Sequence, residues 1–254
     1  MSRGTAQISD RGFEYIPYEF QYSLGIAALP GHAVHRVWFP VEMPLEKGFA
    51  WIEAHLKRLG LPTTAFAACE LRSKAPYTPE EFRAFNEVYA ATLRRWGCFD
   101  GDSNPVARSN VCPELNGPED TCLHAFCYVA PTQCQGPRTF VIAGGAETLD
   151  SGTTPQERIV AFNDVSPAGL ALKTAQTISA ISDRLDAFKL GWADCGTVQT
   201  YTVHETPVAT LSRLAAMGGG RAGFSWQYCR PPVRYVEYEM DCRRVATDTM
   251  AQNF

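Results

Sequence analysis

The 254-residue chain has no apolar run near bilayer length, no Cys-x-x-Cys pair and no surplus of positive charge. Each absence excludes something. Without some 20 consecutive apolar residues there is no candidate spanning helix. The opening MSRGTAQISD has no apolar core of a secretory signal, so a cytoplasmic protein with no membrane partner is expected. A formal charge of -4 and a pI near 5.8 give no electrostatic footprint for nucleic acid. The nine cysteines, at 69, 98, 112, 122, 127, 134, 195, 229 and 242, are odd in number and unpaired in spacing, which suits reduced, buried, small hydrophobes. Cys122, His124 and Cys127 come nearest to a metal motif. On a strand, however, 122 and 124 share one face and 127 takes the other, so no metal is expected.

What is present is an ordinary globular composition, 45% hydrophobic and 20% charged, with helix and strand signals in two rounds. Residues 1–19 lack periodicity and read as an arm or added edge segment. In the first round Phe49, Ile52, Leu56 and Leu59 form a helical face closed by Gly60, followed by a β-like stretch from Phe66 to Leu71. Thr78 then caps a helix with Pro79 at its first position and Glu80 and Glu81 in its first turn. Its apolar face runs through Phe82, Phe85, Tyr89, Leu93 and Trp96 to a stop at Gly97, and the aromatic stripe Phe82, Phe85 and Tyr89 reads as core. In the second round Leu172, Ile178, Ile181, Leu185 and Phe188 mark a helix stopped by Gly191. The strand TVQTYTVH follows at 197–204, and Thr206 and Pro207 open a helix with Leu211, Leu214 and Met217 on its face.

The rounds align as an internal repeat. Gly60 pairs with Gly191 at an offset of 131, Pro79 with Pro207 at 128, and Arg108 with Arg221 and His124 with Glu237 at 113. The falling offset predicts a shorter second helix and a shorter following loop in the second copy. PTQCQGP at 131–137 marks the join. The reading is α+β: an arm over 1–19 and domains over 20–131 and 132–254, each a mixed β-sheet with two helices packed on one face.

Several segments together resemble the RidA (YjgF) family of enamine and imine deaminases. YSLGI at 22–26, PEEFRAFNEVYAATLRRWG at 79–97 and PVARSNV at 105–111 are similar to the family's Tyr-Ser strand, Asn-x-x-Tyr helix and Arg-Ser-x-Val strand. FVIAGGAE at 140–147, KTAQTISAISDRL at 173–185 and YVEYEMD at 235–241 supply a second set. The resemblance implies two tandem RidA-like, chorismate-mutase-like domains. It puts the carboxylate-binding arginine at Arg108 and, in GGRAGFSW, at Arg221. It puts the water-positioning glutamate at Glu237, with His124 in that place in the first copy. It further implies backbone donors at Asn110 or Gly223, a substrate-flanking tyrosine at Tyr22, a helix asparagine at Asn86, and a close ligand approach at Gly144-Gly145. Neither copy is complete, so the halves are expected to complement each other, with Arg221 and Glu237 facing Tyr22 across a cleft. Because the family closes in threes, a homotrimer is expected.

A guanidinium fork suits a small carboxylate, since two parallel charge-assisted bonds fix charge and orientation together. The implied reaction is hydrolytic deamination of an imine or enamine acid, such as a 2-imino or aminomuconate-like acid. Glutamate would handle the water, and no cofactor is needed because an iminium carbon is already electrophilic. The alternatives are a chorismatase-like hydrolase of a ring-derived acid and a carboxylate-metabolite binding protein without turnover. RNA cleavage has only Arg230, Arg234, Arg243 and Arg244 behind it. Two readings of Glu237 stand open: it alternates with Glu239 and Asp241 on one strand face, which a solvated acidic face would also produce.

Overall fold

A computed structural model of the chain describes residues 4–205 and 207–252. The strands are β1 (Gln7–Ile8), β2 (Phe13–Tyr15), β3 (Gly25–Ala28), β4 (His32–Pro44), β5 (Phe66–Arg72), β6 (Ala107–Pro113), β7 (Cys122–Pro131), β8 (Phe140–Ala146), β9 (Thr197–Tyr201), β10 (Ser225–Gln227), β11 (Cys229–Arg230), β12 (Glu239–Arg244) and β13 (Thr247–Met250). The helices are α1 (Leu45–Arg58), α2 (Pro79–Arg95), the single turn α3 (Pro155–Arg158), α4 (Pro167–Ala187) and α5 (Pro207–Ala216).

The strands form two mixed sheets, ordered β11-β6-β5-β7-β4-β13 and β1-β2-β3-β8-β12-β9-β10. The series β6-β5-β7-β4 and β10-β9-β12-β8 share one pattern. In each the first two strands are parallel and the others antiparallel. The chain ends cross over. β3, with the N-terminal β1 and β2, lies against β8, while β11 and the C-terminal β13 edge the other sheet. No helix among the described residues is long and apolar enough to cross a membrane.

Helix starts follow their caps. Thr78 and Glu81 form a reciprocal capping box at α2, with Pro79 in the first turn, and Ser166 caps α4 through the Gly169 N–H. Each helical face then meets its sheet. Phe49, Ile52 and Leu56 of α1 and Tyr89 and Leu93 of α2 pack on Phe66, Leu71, Leu123 and Phe126. Ile178, Ile181 and Leu185 of α4 and Leu214 of α5 pack on Ile142, Val198 and Met240. As the offsets predict, α2 has 17 residues and α5 has 10. Several face residues are corrected by the structure. Leu59, Leu172, Leu211 and Met217 are exposed, because they lie at helix ends or beyond the angular width the sheet covers. The expected cap Thr206 lies outside the described residues.

Between the sheets lies a third apolar cluster, including Tyr15, Ile26, Ala68, Ala107, Val129 and Ala143. Beside it runs a chain of buried polar groups. Arg36 holds Glu70 through two bonds of 2.6 and 3.0 Å, and Arg243 lies 3.4 Å from Glu70 and 3.5 Å from Asp241. Asp241 accepts from Ser109 on the opposite sheet at 2.7 Å and from Tyr201 at 2.8 Å. Pairing and hydrogen bonding offset the cost of burying these charges. The support for RNA cleavage falls here, since Arg243 is interior and Arg230 is bound to Glu114 at 2.7 Å.

Candidate active site

A cavity of about 580 Å³ opens where β6 of one sheet meets β8 of the other. Its walls come from residues 18–22, the first half of α2, β6, the end of β8 and the loop after it, α4, and the segment 231–236 leading to β12. β3 pairs with β8 only as far as Ile142, so Gly144–Ala146 face the cavity along an edge that β3 does not cover.

Arg108 and Asn110 are two residues apart on β6 and both line the cavity, as strand alternation requires. Arg108 is 3% exposed and its Nη1 has no hydrogen-bond partner. Rings of Tyr89, Tyr22, Phe82 and Phe85 surround its guanidinium, with centroids 4.8, 5.1, 5.6 and 5.8 Å from Cζ. Aromatic faces hold a cation without neutralising it, so the charge is kept for an incoming anion. The stripe expected as core is therefore divided. Tyr89 is buried, while Phe82 and Phe85 are only partly buried and Phe82 lines the cavity. Asn86 of α2 is buried with Oδ1 unpartnered; Asn110 accepts from Ser73 Oγ at 2.9 Å and leaves Nδ2 unpartnered. Buried polar groups are almost always bonded, so several orphans at one cavity point to a ligand.

The seven-stranded sheet and the helix packed on it contribute an acid and a second guanidinium. Glu239, the first residue of β12, is 5% exposed and lines the cavity. Burial, reinforced by Asp241, pushes its carboxyl up to about 8, against the opposing pull of Arg184 and Arg108. A methyl group on Gly144 would overlap Glu239 Oε1, so only glycine leaves room for the carboxyl. Arg184 of α4 reaches across Gly145 and donates from Nη1 to the carbonyls of Ala143 and Gly144, at 2.8 and 3.1 Å. Tyr22 feels Arg108, Arg184 and Glu239 together, and burial raises its phenol.

The entry to β12 is fixed from behind. Glu147, directly after β8, accepts from the N–H groups of Glu237 and Tyr238 at 2.7 and 3.1 Å. Fully buried Lys173 of α4 lies 3.3 Å from the same carboxylate and donates to Val160 O.

Of the residues expected at the site, the cavity gathers Tyr22, Asn86, Arg108, Asn110 and Gly144. Four do not reach it. Arg221 is exposed on the 3-10 turn Gly219–Ala222, and Gly223 follows it, also exposed. β10, in the position of β6, reads Ser-Trp-Gln and has no arginine. Glu237 sits outside the cavity, 2.8 Å from His204 and 3.7 Å from Arg230. The reason is one of register: β12 begins at Glu239 instead of Tyr235, whose backbone is left-handed at φ 73°. His124 belongs to the charged layer between the sheets, where burial, with Arg72 adding to it, lowers it to about 4. Glu239 was missed because the strand was started too early, although the alternation of 237, 239 and 241 was visible. Arg184 was missed because it lies inside an apolar helical stripe, three residues after Ile181. Its spacing was the available signal.

The family of 2-aminomuconate deaminase CnbZ matches residues 5–249. The chain belongs to that family. It is 44% identical over 243 residues, 95% of this chain and 97% of the other, to a 2-amino-5-chloromuconate deaminase of Comamonas testosteroni. The match is thus to this deaminase family, and not to the RidA family as such. The protein is an enzyme acting on C–N bonds. Among solved structures, a chorismatase is similar at TM-score 0.49 and 14% identity, over 95% of this chain and 79% of that one. A cyanuric acid hydrolase is similar at 0.41 and 11%, over 85% and 70%. Likenesses at this level carry nothing about chemistry. Among the described residues, no group of three or more His, Cys, Asp or Glu is placed to hold a metal.

Proposed function

We propose that the protein hydrolyses an aminomuconate-like enamine acid to the corresponding 2-oxo acid and ammonia, with Arg108 as carboxylate anchor and Glu239 as acid and base. The observation that carries this reading is the pairing in one cavity of a buried guanidinium whose Nη1 lacks a hydrogen-bond partner with the buried Glu239 carboxyl, whose affinity for protons burial raises. Family membership and the 44% identical relative support the substrate class.

Arg108 fixes the C1 carboxylate of the substrate, presenting C2 and its amino group toward Glu239. Protonated Glu239 gives its proton to the conjugated carbon chain, and the enamine becomes an iminium. The resulting carboxylate takes a proton from water as the water oxygen bonds to C2, forming a carbinolamine. That proton then goes to the nitrogen, the C2–N bond breaks, and ammonia leaves as the C2 carbonyl forms. The acid is regenerated when the carbonyl-bearing product loses the hydroxyl proton. Glu239 needs its raised affinity for protons in the first step, because an ordinary carboxylate would be empty at neutral pH.

These residues meet within one chain, so the expected homotrimer is not needed to assemble them. The repeated strand order supports the reading of two RidA-like copies. The test is ammonia release from 2-aminomuconate by the purified protein. Arg108→Gln should lower kcat/KM by roughly 10²-fold, the worth of a charge-assisted fork. Turnover unchanged in that variant would refute the anchor.

A further inference from the structure

The cavity contains more positive charge than one carboxylate requires. Arg108 lies on β6 and Arg184 on α4, so the two guanidinium groups reach the cavity from different sheets' layers. Both line it together with Glu239 and Tyr22. Neither has an ion-pair partner among the described residues. Arg184 is partly buried, and its Nη1 is tethered to two backbone carbonyls, which aims the guanidinium without cancelling its charge. The other cations at the cavity are differently placed. Arg83 is exposed and paired with Glu87 at 3.3 Å; Arg234 is exposed and 3.9 Å from Glu81; Arg158 is exposed on α3. The other acids lining the cavity, Glu19 and Glu80, are exposed.

We propose that Arg184 is a second anchor, binding the distal carboxylate of a six-carbon dicarboxylate whose first carboxylate is held by Arg108, and so sets the enzyme's preference for diacids over monoacids. This rests on the reading of Arg108 given above. Two buried or tethered guanidinium groups at one cavity supply the two positive charges that a dianion needs. Guanidinium suits the task because it stays charged when desolvated and binds carboxylate by a fork. The carbonyl tether removes rotamer freedom before the ligand arrives, so less entropy is lost on binding.

The test compares two unreactive ligands of the same length and conjugation, muconate with two carboxylates and sorbate with one, by calorimetry or competitive inhibition. The wild-type enzyme should bind muconate roughly 10- to 100-fold more tightly than sorbate, the range expected of one charged hydrogen-bonded contact. Arg184→Gln should bring muconate down to the sorbate level and leave sorbate nearly unchanged. Equal weakening of both ligands would mean that Arg184 only supports the β8 backbone, and would overturn the proposal. An undiminished preference would also overturn it, as would loss of preference in Arg158→Gln instead. If Arg184→Gln does not fold, Arg184→Lys takes its place. Its preference should fall severalfold, since an ammonium lacks the fork, and a preference equal to wild type counts against the proposal. Arg108→Gln separates the two readings: it should weaken both ligands, and if it weakens neither, the anchor assigned to Arg108 fails whatever Arg184 does.

Discussion

The two sheets repeat one strand order, yet they hold different parts of the site. In the six-stranded sheet β6 carries Arg108 under the aromatic residues of α2. At the corresponding place in the other sheet, β10 is three residues long and carries no cation, and α5 is 10 residues against 17. The acids are distributed the opposite way. β12 opens with Glu239, whereas β7, its counterpart in strand order, opens Cys-Leu-His. On the proposed reading, one half supplies the anchor and the other the proton carrier. A repeat whose halves divide the roles makes one asymmetric site, which suits a substrate whose two ends differ.

The division can be broken most sharply at Glu239. Glu239→Gln should cost roughly 10²–10⁴ in kcat, the usual worth of a placed proton donor, measured as ammonia release. Glu237→Gln, two residues earlier, is the matched control. The same carboxyl sets the pH dependence. Its proton is present below about 8 and absent above, so kcat/KM should be level at lower pH and fall about tenfold per unit above that value. A profile that instead rises through pH 8 would make the ionised form the active one and reverse the assigned role.

Next in size is Gly144→Ala. The added methyl meets the Glu239 carboxyl, and a displacement near 1 Å at a catalytic group costs about 10²-fold. Thermal unfolding should change far less than activity, since the carboxyl and not the core must move. The smallest effects are expected on the other half's candidates. Arg221→Ala and Glu237→Gln should each leave kcat/KM within about twofold, because the first is exposed and the second is engaged outside the cavity. A large loss in Arg221→Ala would restore the symmetrical arrangement and undo the comparison.

Much of this was legible from residue order. The Thr78-Pro79 start, the Gly60 and Gly97 stops and the apolar faces of α1, α2 and α4 are local events, decided by capping and periodicity within a few residues. Arg108, Asn110, Asn86 and Tyr22 came from the resemblance to RidA motifs, and the fold brings all four to the cavity. Glu239 was not found. Whether a strand starts at 235 or 239 depends on the left-handed Tyr235 and on Glu147 binding the N–H groups of 237 and 238, and that partner lies ninety residues away.

The sequence by itself determined where α1, α2, α4, α5, β5 and β9 form and that their signals come in two rounds, and its motifs pointed by resemblance to Arg108. Only the tertiary structure decided which acid faces that arginine, that Arg184 joins it, and that the N- and C-terminal strands exchange sheets. The physical reason is that a site between two sheets is made of pairings across long chain separations. Such pairings are set by how whole faces pack, and no run of neighbouring residues encodes them.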